Sequence, residues 1–301
     1  MYQYIWIPLI LFYGICKSFR EAMKKKALQS CSVMEVLFFY TFFAFVLTIP
    51  FAIGQGIFEV SFAYHMAILL KAFMIFVAWI LAMSAMKRLP LSVYCVVDMS
   101  RSLFSVILGI VVLGESLGLL QGIGMLLVLV GVAIVNLKKD STPGANTTYK
   151  VIPLVLISCI FNALSAIIDK YTLSSAPDRW LFGNEILNDG QMQFWYMLYL
   201  CSFYGLYILV RYIAKKEKII AKRALKCPWI YALSILFMLA DKAMFIANSN
   251  PNSKVITLTV LQQVSVLVTI LLGKILYKEK NILYRSFCAI LIIAGIIISV
   301  I

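Results

Sequence analysis

The chain has 301 residues, of which 63% are hydrophobic and only 13% charged, and it carries a formal net charge of +14. So apolar a composition excludes a soluble globular domain and points to a polytopic membrane protein. Alternating polar and apolar runs of about ten residues, the mark of an outer-membrane barrel, are absent from the sequence.

Ten hydrophobic stretches are predicted to cross the membrane as helices, each near the roughly 20 residues that a hydrocarbon core of about 30 Å requires. They fall at 4–22, 34–53, 62–86, 90–113, 118–137, 151–170, 192–213, 228–247, 254–276 and 283–301. The expected fold is therefore an all-α polytopic membrane protein with ten transmembrane helices. Span 1 has no basic residue before it and no small-residue cleavage site after it, so it reads as a retained span rather than a signal peptide. Lys17, Arg20 and Lys24 to Lys26 close it. Span 3 holds Lys71 and, near one end, the single histidine, His65, in a capping or interfacial position.

Span 4 poses the sharpest question. Its stretch CVVDMSRSLFSV places Asp98 and Arg101 near the middle of an apolar run. A charge at mid-helix costs about 3 kcal/mol on insertion scales, so such residues face a partner or a wet cavity rather than lipid. Three positions apart, the two share a helix face that Ser102 and Ser105 extend. Span 6 repeats the pattern with Ser158, Asn162, Ser165 and Asp169, span 8 carries Asp241 and Lys242, and span 9 carries Gln262, Ser265 and Thr269. Spans 5 and 10 have few polar groups and read as packing helices or a dimer surface. Between spans 6 and 7, residues 172–191 form a long loop, either solvated or gating an entrance.

Charge along the chain is one-sided. The connections after spans 1, 3, 5, 7 and 9 carry 21 Lys and Arg, against Lys170, Arg179 and Lys254 on the opposite face. The positive-inside rule makes the basic face cytoplasmic and both termini non-cytoplasmic, in the cell (inner) membrane. The basic loops are thus topology determinants, not a nucleic-acid site. Seven cysteines are scattered with no CxxC pair, and Cys16, Cys95, Cys159, Cys201 and Cys288 fall inside spans as small core residues.

The chain also repeats itself. Residues 90–137 overlay 254–301 at a constant offset of 164, so that Gly109, Glu115 and Gly131 meet Gly273, Glu279 and Gly295. Ile7-Pro8-Leu9 likewise resembles Ile152-Pro153-Leu154. Five spans per half is an odd number, which inverts the second copy: repeats at 1–140 and 151–301 joined by a polar linker at 141–150. At the same offset Asp98, Arg101 and Ser105 become Gln262, Ser265 and Thr269.

Polar faces from spans 3, 4, 6, 8 and 9 are expected to converge on one midplane cavity, as in secondary transporters. The candidate substrate-binding residues are Lys71, Tyr94, Asp98, Arg101, Asn162, Ser165, Asp241, Lys242, Gln262 and Ser265. Arg101, Lys71 and Lys242 suit a carboxylate or phosphate, and Asp98 and Asp241 are the proton-coupling candidates. The competing reading is structural: Asp98 neutralises Arg101, and Asp241 pairs with Lys71 or Lys242. No metal and no cofactor is expected.

Ten spans in two inverted halves, with Gly109 to Glu115 and Gly273 to Glu279 ending spans 4 and 9, resemble the EamA-type branch of the drug/metabolite transporter superfamily. That resemblance implies alternating access around a central cavity and transport of a small metabolite. It also implies a fold in which many relatives keep both termini in the cytoplasm, the reverse of what the charges here predict. The preferred function is a secondary transporter of a small polar metabolite, zwitterionic or anionic. Its partners are that substrate and the lipid bilayer, as a monomer or a homodimer through helices 5 and 10. The runner-up is an exporter of hydrophobic cations, with Tyr94, Trp79 and Phe245 as aromatic walls. Two other classes stay open: an integral membrane enzyme on lipid-linked substrates, disfavoured by the lack of an acidic metal cluster or HExxH, and a channel or scaffold.

Overall fold

The structure, a computed structural model, describes residues 4–89, 94, 97–98, 100–116, 118–137, 151–174, 186–214, 221–262, 264–277, 291, 294–295 and 298. Its regular structure is helical throughout. The elements are α1 (Trp6–Ser30), α2 (Val33–Ala52), α3 (Phe62–Met86), α4 (Ser100–Leu113), α5 (Leu119–Leu137), α6 (Ile152–Leu173), α7 (Asp189–Ile213), α8 (Ala221–Leu225), α9 (Pro228–Ser249), α10 (Val255–Leu261) and α11 (Val264–Tyr277). Among the described residues, α2, α3, α6, α7 and α9 are long and apolar enough to cross a membrane.

Local chemistry explains where these helices start. Ser32 opens α2 with a reciprocal capping box: its hydroxyl accepts from the Glu35 N–H, and the Glu35 carboxylate accepts from the Ser32 N–H at 2.9 Å. Asn188 and Gln191 build the same device at the head of α7, at 2.7 and 3.1 Å. This box starts α7 three residues earlier than the apolar run at 192 suggests. Pro153 and Pro228 occupy the first turns of α6 and α9, where a missing N–H is harmless.

Two expected spans differ from what is found. Span 1, expected to stop at 22, runs as α1 to Ser30, so Lys24, Lys25 and Lys26 lie within the helix with Lys17 and Arg20 rather than in a connecting loop. Helix geometry carries the chain on because i→i−4 bonding is indifferent to charge once those side chains find partners inside the bundle. Span 9 is two helices: α10 ends at Leu261 and α11 begins at Val264, with a tight Ser265 N–H to Gln262 carbonyl bond of 3.0 Å at the join. Glycine explains what fills that join. A Cβ on Gly14 of α1 would lie 2.5 Å from Val264 Cγ1 and 3.1 Å from the Gln262 carbonyl oxygen, so α1 crosses there only because it lacks a side chain. The linker 138–150, most of the loop 172–191, Glu279 and most of span 10 lie outside the described residues.

The helices pack most extensively as α1 on α9 and α3 on α6, then α2 on α7, α4 on α6 and α1 on α11, with α3 touching α7 and α2 touching α9. One core joins α2, α3, α6, α7 and α9 around Tyr40, Tyr204, Phe237 and Met83. A smaller one joins α1, α9 and α10 around Ile10, Tyr13, Met244 and Leu258. Outward faces are apolar stripes at helical spacing, such as Phe42, Val46 and Ile49 of α2 or Ile235 and Leu239 of α9, as contact with acyl chains demands. α5 packs at the edge, against α10.

The connections gather at two ends. At one, which we call the neutral end, Gln55, Gly56 and Ile57 accept from Asn188, Gln191 and Trp195, and Ser116 accepts from Lys254. At the other, the basic end, Lys25 donates to the Leu89 carbonyl at 2.9 Å and Ser30 meets Cys227.

Candidate functional site

The charged centre of the bundle begins on α1. Tyr13, Lys17, Arg20 and Lys24 recur at spacings of four, three and four, which puts them along one face of the helix. Arg20, Lys24 and Tyr13 are buried, and Lys17 is nearly so. Lys17 Nζ donates to Asp98 at 3.2 Å, reaching span 4. Arg20 Nη1 donates to Asp241 of α9 at 3.0 Å, with its guanidinium over the Phe237 ring at 5.3 Å. Lys24 pairs with Glu21 at 2.8 Å and lies over Trp79. On α3, the ammonium of Lys71, 2% exposed, pairs with Asp169 of α6 and stacks on Tyr196 and Phe245 at 4.1 and 4.3 Å. Five spans thus contribute opposite charges to three interhelical pairs that hold the centre together.

Beside the Lys17–Asp98 pair lies a cavity of about 20 Å³, room for water rather than for a metabolite. α1 (Lys17), span 4 (Asp98, Arg101, Ser102, Ser105), α6, α9 (Met244, Asn248) and α10 with Gln262 line it. The side chain of Arg101 forms no hydrogen bond or salt bridge among the described residues. Asn248, 1% exposed, has an amide nitrogen with no hydrogen-bond partner among them.

The candidate residues therefore separate. Asp98, Arg101 and Gln262 meet at the cavity, with Gln262 Nε2 against Met244 Sδ at 3.4 Å. Lys71 and Asp241 lie in the charged centre, each already paired. Asn162 donates to the Ser158 carbonyl at 2.7 Å, and the Ser265 carbonyl accepts from the Ser18 hydroxyl, so both serve helix packing here. Ser165 is buried on the same α6 face, and Tyr94 lies within the large core. Lys242 turns to the neutral end, where its ammonium pairs with Asp189 at the head of α7. The structural pairings expected for Asp98 and Asp241 are not the ones formed: α1 supplies both partners. Sequence reading counted Lys17 and Arg20 as loop charges; their spacing with Lys24 was the signal that they share a face. Asn248 gave no such signal.

At the neutral end the Gly-x5-Glu element ties span 4 to α10, whose Val255 lines the cavity. Gly114, at φ +64°, turns the chain after α4, and the Glu115 N–H returns to the Gly109 carbonyl at 3.1 Å. Glu115 then accepts from the first two N–H groups of α10, Val255 at 2.7 Å and Ile256 at 3.1 Å. A carboxylate on a helix N-terminus satisfies orphan donors and favours the helix dipole. Gly109 is small because Glu115 folds against it: a Cβ there would lie 3.2 Å from Oε2. Lys170 ties the end of α9 to this region, donating to the carbonyls of Asn248 and Asn250 and to Ser253 Oγ. His65 packs at this end too, 2.8 Å from the Tyr199 hydroxyl.

Residues 4–137 match the model of the EamA-like transporter family. No curated protein matches the chain. One solved crystal structure of a protein aligns over 97% of this chain and 95% of its own, with a TM-score of 0.72 and 14% identity, a likeness of fold alone. With its apolar helices long enough to span a bilayer, this is an integral membrane protein, and its residues 4–137 are similar to the EamA-like transporter family.

Proposed function

We propose that the protein is a secondary active transporter that moves a small polar metabolite, zwitterionic or anionic, by alternating access between two inverted five-helix halves. The observation that carries this reading is the polar cavity lined by helices of both halves, with a guanidinium, Arg101, on its wall that forms no salt bridge among the described residues.

Packing supports the inverted halves. Exchanging each span for the one five further on turns α1 on α9 into α6 on α3, and α4 on α6 into the span 9 helix α11 on α1; both members of each exchange are major contacts. The crossing points match as well. Gly14 of α1 meets the Gln262 carbonyl, while Cys159 of α6 meets the Asp98 carbonyl at 3.5 Å. Gly14 and Cys159 correspond by the Ile-Pro-Leu alignment, and Asp98 and Gln262 by the offset of 164. The crossings of spans 1 and 8 and of spans 3 and 6 each carry an ion pair as well, Arg20–Asp241 and Lys71–Asp169, though not at aligned positions, since Arg20 aligns with Ser165. A bundle made of two such units supports a tenth span, a seam at 141–150 and rocking of one half against the other.

In this reading Glu115 ties span 4 to α10 at the neutral end. Asp98 is better placed than Asp241 to couple protons, since it borders the cavity and can trade Lys17 for another partner. The one-sided charges favour a basic, cytoplasmic end in the inner membrane, and the edge position of α5 suits a homodimer contact. Hydrophobic cations, the second reading, fit less well because Lys17, Asp98 and Arg101 leave the described lining with one positive charge. Proteoliposomes loaded with a mixed extract of polar metabolites test the proposal by mass spectrometry of what leaves. Saturable release of a carboxylate-bearing solute is expected. Flux of lipophilic cations alone would move the assignment to the second reading, and no saturable flux would reject transport of this kind.

A further inference from the structure

Among the described residues, two side chains with hydrogen-bond donors that find no partner border one cavity. Arg101 approaches from span 4 and Asn248 from the last turn of α9. A buried amide donor with no acceptor is costly, and at 1% exposure Asn248 has no bulk water in place of one. Lys17 does not compete for an incoming anion while it donates to Asp98. The lining residues that carry full charge are Lys17, Asp98 and Arg101, so the site holds one uncompensated positive charge.

We infer that Arg101 and Asn248 form a carboxylate subsite, in which the guanidinium grips the anion through parallel N–H groups and the Asn248 amide donates to one of its oxygens. The inference rests on the transporter reading and adds to it the chemical group by which cargo is held. A forked guanidinium matches a carboxylate in geometry, and an amide N–H is a donor that carries no charge of its own. A single uncompensated cation suits a monoanion; a phosphate dianion would bring a second negative charge that the described lining does not neutralise. The cavity of about 20 Å³ must widen to admit even a small acid. Such widening requires α10, the seven-residue helix that lines the cavity through Val255, Leu258 and Thr259, to shift against its neighbours. Gln262 and Thr259, on that wall, would then move with it.

The test uses the full-length protein in lipid nanodiscs, titrated with L-alanine, L-lactate, butyrate, octanoate, ethylamine and inorganic phosphate while binding is read as a shift in thermal unfolding. At least one carboxylate is expected to bind, with phosphate at least tenfold weaker and ethylamine silent. Arg101→Lys keeps the charge and loses the fork, and should weaken carboxylate binding about tenfold. Asn248→Asp, nearly isosteric, should weaken it by at least that much without lowering the melting temperature of the ligand-free protein, because the new carboxylate shares the cavity with Arg101. Unchanged carboxylate affinity in both variants, silence of every carboxylate, or equal protection by ethylamine would overturn the subsite. Flux of the same probes into proteoliposomes separates the two levels. Carboxylate binding without flux would count against the transporter reading and leave the subsite standing, whereas saturable carboxylate flux that both variants leave unchanged would do the reverse.

Discussion

Two of the three ion pairs that tie helices together near the centre of this bundle are built differently from each other. Lys71 and Asp169 are 2% and 9% exposed, with the ammonium packed against Tyr196 and Phe245. Lys17 and Asp98, at 15% and 14%, border the cavity. A pair sealed among rings has no alternative partner, so each charge depends on the other. A pair beside open space can exchange its partner for water or ligand at small cost. The contrast assigns the first to holding α3 against α6 and the second to events in the cavity.

Removing one carboxylate from each pair is the strongest way to break that contrast. Asp169→Asn leaves Lys71 charged and buried without an anion, and should cost about 3–5 kcal/mol. Asp98→Asn leaves Lys17 beside the cavity, where water can reach it, and should cost less than about 2 kcal/mol. Unfolding in detergent, followed by tryptophan fluorescence, measures both; equal losses would erase the distinction drawn here.

Glycines sharpen the comparison at an intermediate scale. Gly14→Ala forces a methyl into the join between α10 and α11 and is expected to destabilise by about 1–3 kcal/mol. Gly205→Ala, whose Cβ would meet only Phe38 at an ordinary 3.4 Å, should be neutral or stabilise by up to about 1 kcal/mol. The same unfolding assay applies, and a harmless Gly14→Ala would mean the close crossing of α1 is not needed. The smallest effect concerns the cap on α10. Glu115→Ala frees the Val255 and Ile256 N–H groups, at about 1 kcal/mol. Hydrogen exchange at the head of α10 should accelerate while exchange in α9 stays unchanged; no acceleration would remove Glu115 from its capping role.

Much of the fold was legible because in a bilayer the solvent acts on whole segments. Runs such as 62–86 and 228–247 match α3 and α9 closely, since an apolar stretch of that length has one stable form in lipid. α7 begins earlier than its apolar run because a capping box, Asn188 to Gln191, sets its start, and that pattern is readable as N-x-x-Q. α1 runs past its expected end at 22 because its charges find partners: Lys17 and Arg20 meet carboxylates of other helices, and Lys24 meets Glu21 of its own. Of the candidate site, Asp98, Arg101 and Gln262 were found because they offend an apolar run. Asn248 sits near a helix end, where an asparagine offends nothing.

The amino-acid sequence by itself determined the solvent, the helical class and the positions at which polar groups interrupt apolar faces, because each depends only on residues near one another in the chain. Partner choice was decided by tertiary structure alone: that Lys17 rather than Arg101 meets Asp98, that Arg20 rather than Lys71 or Lys242 meets Asp241, and that Arg101 and Asn248 share one cavity. Ion pairing and cavity shape depend on distances across the bundle, and those follow from how α1 crosses the break in span 9, which a glycine permits and no local pattern announces.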